Sequence, residues 1–220
     1  MSIEDALSNL PSYSAELSLD LCRPGDRFKW FSASILFAKR ISAETAKKTY
    51  HRFEAERLTT PERILEAGWD RLVEVLDSGG YTRYDFSTAT NLLEIMSKLK
   101  EYGGLEELHN ASKNQRELER KLQEFKGVGP VCVNIFLREL RGIWEKSDPE
   151  PSKIAVETGR KLGLRDVKPY ESSLVRLSLE YCKKSRCSKC PAKNLCTSLI
   201  RDQQRMRRFP WRPVLSAKIH

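Results

Sequence analysis

Two glycines set one residue apart inside a helical run constrain this chain more than any other feature. Leu122 to Leu140 reads LQEFKGVGPVCVNIFLREL, with Gly127-Val128-Gly129 followed by Pro130. Glycine turns the backbone into positive φ without steric cost and leaves peptide N–H groups unscreened by a Cβ. Proline at the first position of a helix gives up only an N–H that has no intrahelical partner. The stretch therefore predicts two helices joined by a tight turn. Open N–H groups at the start of the second helix bind one phosphate oxygen well and read no base. Lys126, Gly127, Val128 and Gly129 are accordingly candidates for a grip on a nucleic-acid backbone. The plainer alternative is a glycine turn between two packed helices.

The rest of the chain is written in helices. The run DRFKWFSASILFAKR from Asp26 is apolar on nearly every side, which marks a centrally buried helix with Asp26 as its cap. Ser42 caps a second helix, Thr60-Pro61 opens a third and Gly68-Trp69-Asp70 a fourth. Gly79-Gly80-Tyr81 breaks the pattern before a long helix from Tyr84 to Tyr102, and Asn114 to Phe125 leads into the glycine turn. After the turn-rich KSDPEPSK, Ser152 caps KIAVETGRKLGL with Gly163 as its stop, and Tyr170 to Cys182 is amphipathic. No alternating strand pattern of useful length and no internal repeat is present. The fold class is all-α.

Charge is concentrated at one end. The chain carries 39 Lys and Arg against 30 Asp and Glu, a net +9, and from Cys182 to His220 eleven basic residues face Asp202 as the one acid. The first 181 residues are therefore close to neutral, and the basic end is the expected contact with a polyanion. No run reaches the roughly 18 apolar residues of a membrane span, and MSIEDALSNL lacks a basic n-region and an apolar h-region. The expectation is an intracellular protein, cytoplasmic or nuclear, with no membrane partner. His51, His109 and His220 form no visible site and are expected at the surface.

Cys182, Cys187, Cys190 and Cys196 fall within fifteen residues, spaced as C-KKSR-C-SK-C-PAKNL-C, while Cys22 and Cys132 sit alone in apolar surroundings and are expected in the core. Four soft thiolates in one short loop of an intracellular chain suit a metal centre rather than disulfides. Zinc and a 4Fe-4S cluster both remain open on spacing. A single CxxC flanked by lone cysteines leans toward the cluster, since structural zinc more often pairs two knuckles across a longer gap. Lys183, Lys184, Arg186, Lys189 and Lys193 surround the loop and would offset a negative centre.

In this order, the buried helix ending in LFAKRIS, the GGY turn at Gly79 to Tyr81, the hairpin EFKGVGPVCVNIFL and the cysteine loop resemble the helix-hairpin-helix DNA glycosylases of the endonuclease III type. The resemblance runs from about Phe28 to Cys196. It implies a two-domain fold: a six-helix barrel over 27–142, and a cluster domain built from 1–26 plus 143–220. The implied partner is double-stranded DNA with an everted lesion base, bound by a monomer. The implied function is base-excision repair, by hydrolysis of the N-glycosidic bond of a damaged or mismatched base. The alternative is a non-catalytic iron–sulfur DNA-binding protein that keeps the hairpin only as a clamp.

The chemistry of that reaction sets its own requirements. Breaking an N-glycosidic bond builds positive charge on the sugar, which a carboxylate stabilises while orienting a water. The base must first be flipped into a pocket, with a residue filling the gap it leaves. The resemblance implies an aspartate shortly after the hairpin, and Asp148 in WEKSDPEPS is the candidate. Glu157 is its rival, because IAVET is similar to a family string but lies eight residues too far along and inside a helix. Members that nick the strand carry a lysine nucleophile where this chain has Val131, so lyase activity is expected to be weak or absent, with Lys126 and Lys153 as possible substitutes. Lys39 falls where relatives place a gap-filling residue, Gly80 and Tyr81 where a second wedge sits, and Trp144 is placed to wall the pocket. The first cysteine gap is four residues where this type usually has six. The tail RDQQRMRRFPWRP mixes Arg with Phe209 and Trp211, a pattern suited to nucleic acid or to an apolar strap.

Overall fold

The computed structural model describes residues 2–197, and the basic tail with Phe209 and Trp211 lies outside them. Among the described residues every regular element is helical: α1 (Ile3–Ser8), α2 (Tyr13–Glu16), α3 (Pro24–Phe37), α4 (Ala43–Ala55), α5 (Pro61–Ser78), α6 (Asp85–Tyr102), α7 (Leu105–Asn110), α8 (Gln115–Gln123), α9 (Pro130–Arg138), α10 (Lys153–Leu162) and α11 (Glu171–Leu177), with short 3₁₀ and π turns after α10. None of these helices is long and apolar enough to cross a membrane.

The caps explain most of the boundaries. Ser2, Ser12, Ser42, Thr60, Asn114 and Ser152 each turn a side-chain oxygen onto a backbone N–H of the helix they precede. α3 differs from expectation, because Pro24 takes the first turn and Arg23 the cap position. Asp26 instead pairs with Lys29 at 2.7 Å and accepts from the Asp20 N–H at 3.1 Å. The expected third and fourth helices are consecutive pieces of α5, divided at Gly68 with φ 71° and ψ 176°.

The chain divides into two compact units, Ser12–Pro151 and Met1–Pro11 with the segment from Ser152 onward. These bounds differ from the expected 27 and 142. Tyr13, Leu17 and Leu21 before α3, and Trp144 after α9, are buried with the larger core. That core holds Trp30, Phe31, Ile35, Phe125 and Phe136, and Trp30 Nε1 donates to the Phe136 carbonyl at 3.3 Å, tying α3 to α9. The smaller unit gathers Leu7, Leu10, Ala155, Leu162, Leu174 and Leu177. Within it the buried Glu171 accepts from the Ser152 N–H at 2.8 Å, and Arg176 Nη1 donates to the Pro11 carbonyl at 2.6 Å. Two surface assignments change. Cys22 is exposed rather than in the core, because it precedes α3 in a turn where its N–H bonds to Asp20 Oδ1. His109 is buried rather than at the surface, stacked on Trp144 at 4.5 Å.

Candidate nucleic-acid interface

α8 and α9 are the two helices of the hairpin, and only one of its glycines is demanded by backbone shape. Gly127 has φ 78°, and a Cβ there would collide with the side chain of Asn91 on α6. Gly129 is extended, with φ −96° and ψ −179°, and a Cβ would meet nothing within 4 Å. It serves as the N-cap of α9, with Pro130 next and no side chain capping the turn. The opening N–H groups of a helix have no intrahelical acceptor, so this end of α9 presents donors and the positive end of its dipole.

The residues around the turn divide into those that face out and those that hold it. Val128 is buried and its N–H bonds to the Phe125 carbonyl at 3.1 Å, so it anchors the turn instead of contacting a ligand. Lys126 Nζ reaches Glu94 Oε1 at 2.6 Å in an exposed pair, a kind of contact worth about 1 kcal/mol or less and readily exchanged for another anion. Val131, in the first turn of α9, is 62% exposed. It has no group able to form a Schiff base.

Lys39 and Tyr81 approach the same helix end by different routes. The Tyr81 side chain is fully buried and its O–H donates to the Leu36 carbonyl at 3.2 Å. Burial pushes the phenol well above its ordinary range. Tyr81 is therefore a core residue and not the second wedge that the resemblance implies at the GGY turn. Lys39, half-buried just past α3, lies close enough for its charge to act on the thiol of Cys132 in α9. Burial dominates at Cys132 and pushes its pKa up to about 12. The GGY turn owes its shape to packing: a Cβ on Gly79 would strike Thr49 of α4, and Gly80 has φ 88°.

Asp148 lies in the larger unit, exposed, in the irregular segment after α9. Its Oδ1 accepts from Arg141 Nε at 3.2 Å, and Arg141 Nη2 donates to the Pro149 carbonyl at 2.6 Å. Arg141, Gly142, Ile143, Trp144, Glu145, Ser147 and Asp148 line a shallow cavity of about 440 Å³. Behind it Trp144 is fixed on every side. Its Nε1 donates to Glu106 Oε2 at 3.3 Å, Phe136 meets it edge-on at 5.6 Å, and Arg27, whose Nε bonds Glu106 Oε1 at 2.7 Å, lies over its ring. Glu157 and Lys153 are exposed on α10, in the smaller unit.

The four cysteines of the loop also lie in the smaller unit, all as free thiols. Cys182 closes the π turn Ser178–Cys182, and Cys187 opens the 3₁₀ turn Cys187–Lys189. Burial raises the pKa of Cys190, and the charges of Cys182, Cys196 and Cys187 raise it further, which puts the four sulfurs in one electrostatic neighbourhood. Among the described residues, however, no three His, Cys, Asp or Glu side chains converge closely enough to hold a metal ion directly. Lys183, Lys184, Arg186, Lys189 and Lys193 are all exposed around the loop.

Sequence reading missed three residues that shape this region. Asn91 crowds position 127, Arg141 holds Asp148, and His109 backs Trp144. The one available signal was spacing: Arg141 and Asp148 bracket a short turn, which brings an opposite pair together. No protein-family model matches the chain, and no curated protein matches it.

Proposed function

We propose that this protein is a monomeric DNA glycosylase of the helix-hairpin-helix type that removes a damaged or mismatched base by hydrolysis. The observation that carries the reading is the glycine turn. Gly127 is held at positive φ against Asn91, and beyond it an uncapped helix end opens at Gly129-Pro130. A turn of that shape is suited to one phosphate and gives no sequence preference.

In this reading the N–H groups at the start of α9 hold a phosphate of one strand, with Lys126 turning from Glu94 to the backbone. The Asp148 carboxylate faces the sugar of the everted nucleotide, stabilises the positive charge that builds as the N-glycosidic bond breaks, and orients the attacking water. Arg141 is a positioning residue that keeps the carboxylate in its turn. The water's oxygen bonds to the sugar carbon, the bond electrons leave with the base, and the water's proton passes to the carboxylate. With valine at position 131 the covalent route through a lysine is closed at that site.

Cys182, Cys187, Cys190 and Cys196 are the residues that would hold a 4Fe-4S cluster, or zinc in the second reading of the same donors. Such a centre would supply a covalent closure of the loop and a charge for its lysines to neutralise. What supports it is the donor chemistry and the shared neighbourhood of the thiols.

The test is a panel of duplexes carrying uracil, thymine glycol, oxidised or alkylated purines, or mismatches, scored for base loss with and without alkaline treatment. Base release that Asp148→Asn abolishes, with binding to abasic DNA retained, is the expected result. Loss through Glu157→Gln instead moves the catalyst to α10. Tight abasic binding with no release from any duplex overturns the enzyme and leaves the clamp.

A further inference from the structure

Trp69 and Phe86 are large, exposed and stacked on each other, and the proposed reaction gives neither a role. Trp69 is 41% exposed and Phe86 60%, with ring centroids 5.5 Å apart and planes 27° from parallel. Exposed aromatics scattered singly are ordinary, but a fixed pair is a surface with a shape. This pair is fixed. Trp69 Nε1 donates to Thr90 Oγ1 at 3.0 Å, and that hydroxyl donates to the Phe86 carbonyl at 3.0 Å. The break at Gly68 restarts α5 at Trp69, which sets the indole against α6. Beside it Arg83 lies over the Tyr84 ring at 5.5 Å, adding a cation to the same end of α6.

The position of the pair along α6 points to its occupant. Side chains three and four apart share one face of a helix, and Phe86, Thr90, Glu94 and Lys98, each four apart, form such a stripe with Asn91 beside Glu94. The hairpin turn lies on the far part of that stripe, through Asn91 against Gly127, Glu94 paired with Lys126 and Lys98 bonded to Glu124. Phe86 precedes Glu94, the stripe residue paired with Lys126, by eight residues, about 12 Å along the helix axis. That is about three to four nucleotide rises on one strand.

We propose that the Trp69–Phe86 pair is a stacking platform for an unpaired nucleobase a few nucleotides from the phosphate held by the hairpin. The proposal rests on the hairpin reading and adds a second, base-directed contact to it. Aromatic rings held flat and open accept any base, since every base has a π face. The platform would therefore favour DNA with an unstacked base over intact duplex without selecting its identity.

The experiment compares the full chain on an intact duplex and on the same duplex with one unpaired adenine. Tryptophan emission is followed in the native chain and in Trp69→Phe, so that the difference reports Trp69 alone. The expected result is quenching of Trp69 by the bulged duplex only, with Phe86→Ala binding that duplex about tenfold more weakly and the intact one unchanged. Circular dichroism verifies that Phe86→Ala remains folded. If both duplexes bind and Lys126→Ala weakens both, yet Trp69 emission and Phe86→Ala affinity do not change, the platform is overturned and the hairpin reading stands. If neither duplex binds, both fall. If Phe86→Ala turns a self-associated protein into a monomer, the rings cover a second copy and the platform is overturned.

Discussion

The two compact units are built on different physical terms. The larger buries ten aromatic side chains, among them Trp30, Phe31, Phe125, Phe136 and Trp144, around α3 and α9. Among the described residues the smaller buries none: its core there is leucine, alanine and valine with Cys190, and Tyr170 and Tyr181 are only partly covered. Aromatic burial removes the most apolar area per residue, and a core built without it has less apolar burial to stand on. The larger unit has the core to stand by its own packing. For the smaller one, the proposed centre on its four thiols would add a closure that its apolar core does not supply.

The largest effect follows from the proposed metal centre. On that reading Cys190→Ser loses the metal and unfolds the smaller unit while the larger keeps its helices, read by metal content and by hydrogen exchange resolved along the chain. Full protection of α10 and α11 in the variant would break the comparison. Phe136→Ala tests the other side: it should cost about 3–5 kcal/mol in denaturant unfolding of the larger unit, with the cavity left beside Phe31 and Trp144 as the reason. Gly127→Ala should cost about 1–3 kcal/mol for a non-glycine residue at positive φ, with added strain from Asn91, and should weaken DNA binding in the same variant.

His109 sharpens the comparison through pH. Burial first, and then the charge of Lys146, hold its pKa below the ordinary 6.5, against smaller opposing effects from Asn110, Glu106 and Glu145. The unfolded chain therefore takes up the proton at a higher pH than the folded one. Stability of the larger unit should be full above pH 6.5 and fall as pH drops below it toward the folded value. His109→Phe, which keeps a ring against Trp144, should flatten that slope in denaturant melts taken across the same range. The smallest effect is expected at Val131→Lys, where exposure predicts a stability change within about 0.5 kcal/mol. The same variant should yield a borohydride-trappable adduct on abasic DNA, and failure to trap one would place position 131 away from the sugar.

Much of this was legible along the chain. Ser42, Thr60 and Ser152 announced three helix starts, because a cap is a contact between residues three apart. Gly68 announced a break for the same local reason. Tyr81 was misread as a wedge because exposure cannot be deduced from a turn: the GGY sequence shapes the backbone, and the Leu36 carbonyl that takes the phenol lies 45 residues away. Val128 was misread similarly, as a contact where it is an anchor. His109 looked like surface because its stacking partner is 35 residues downstream.

Local chemistry in the sequence was enough to determine the all-helical class, the hairpin with its glycine turn and the clustering of four thiols, since each depends on residues a few positions apart. Tertiary structure alone decided which glycine is obligatory, which aromatics face out and where one unit gives way to the other. Those outcomes depend on Asn91 meeting Gly127, on Thr90 reaching Trp69 and on Tyr13 joining the core of Trp30. Contacts of that range form only when distant helices pack, and packing answers to shape and volume, which no short stretch of sequence carries.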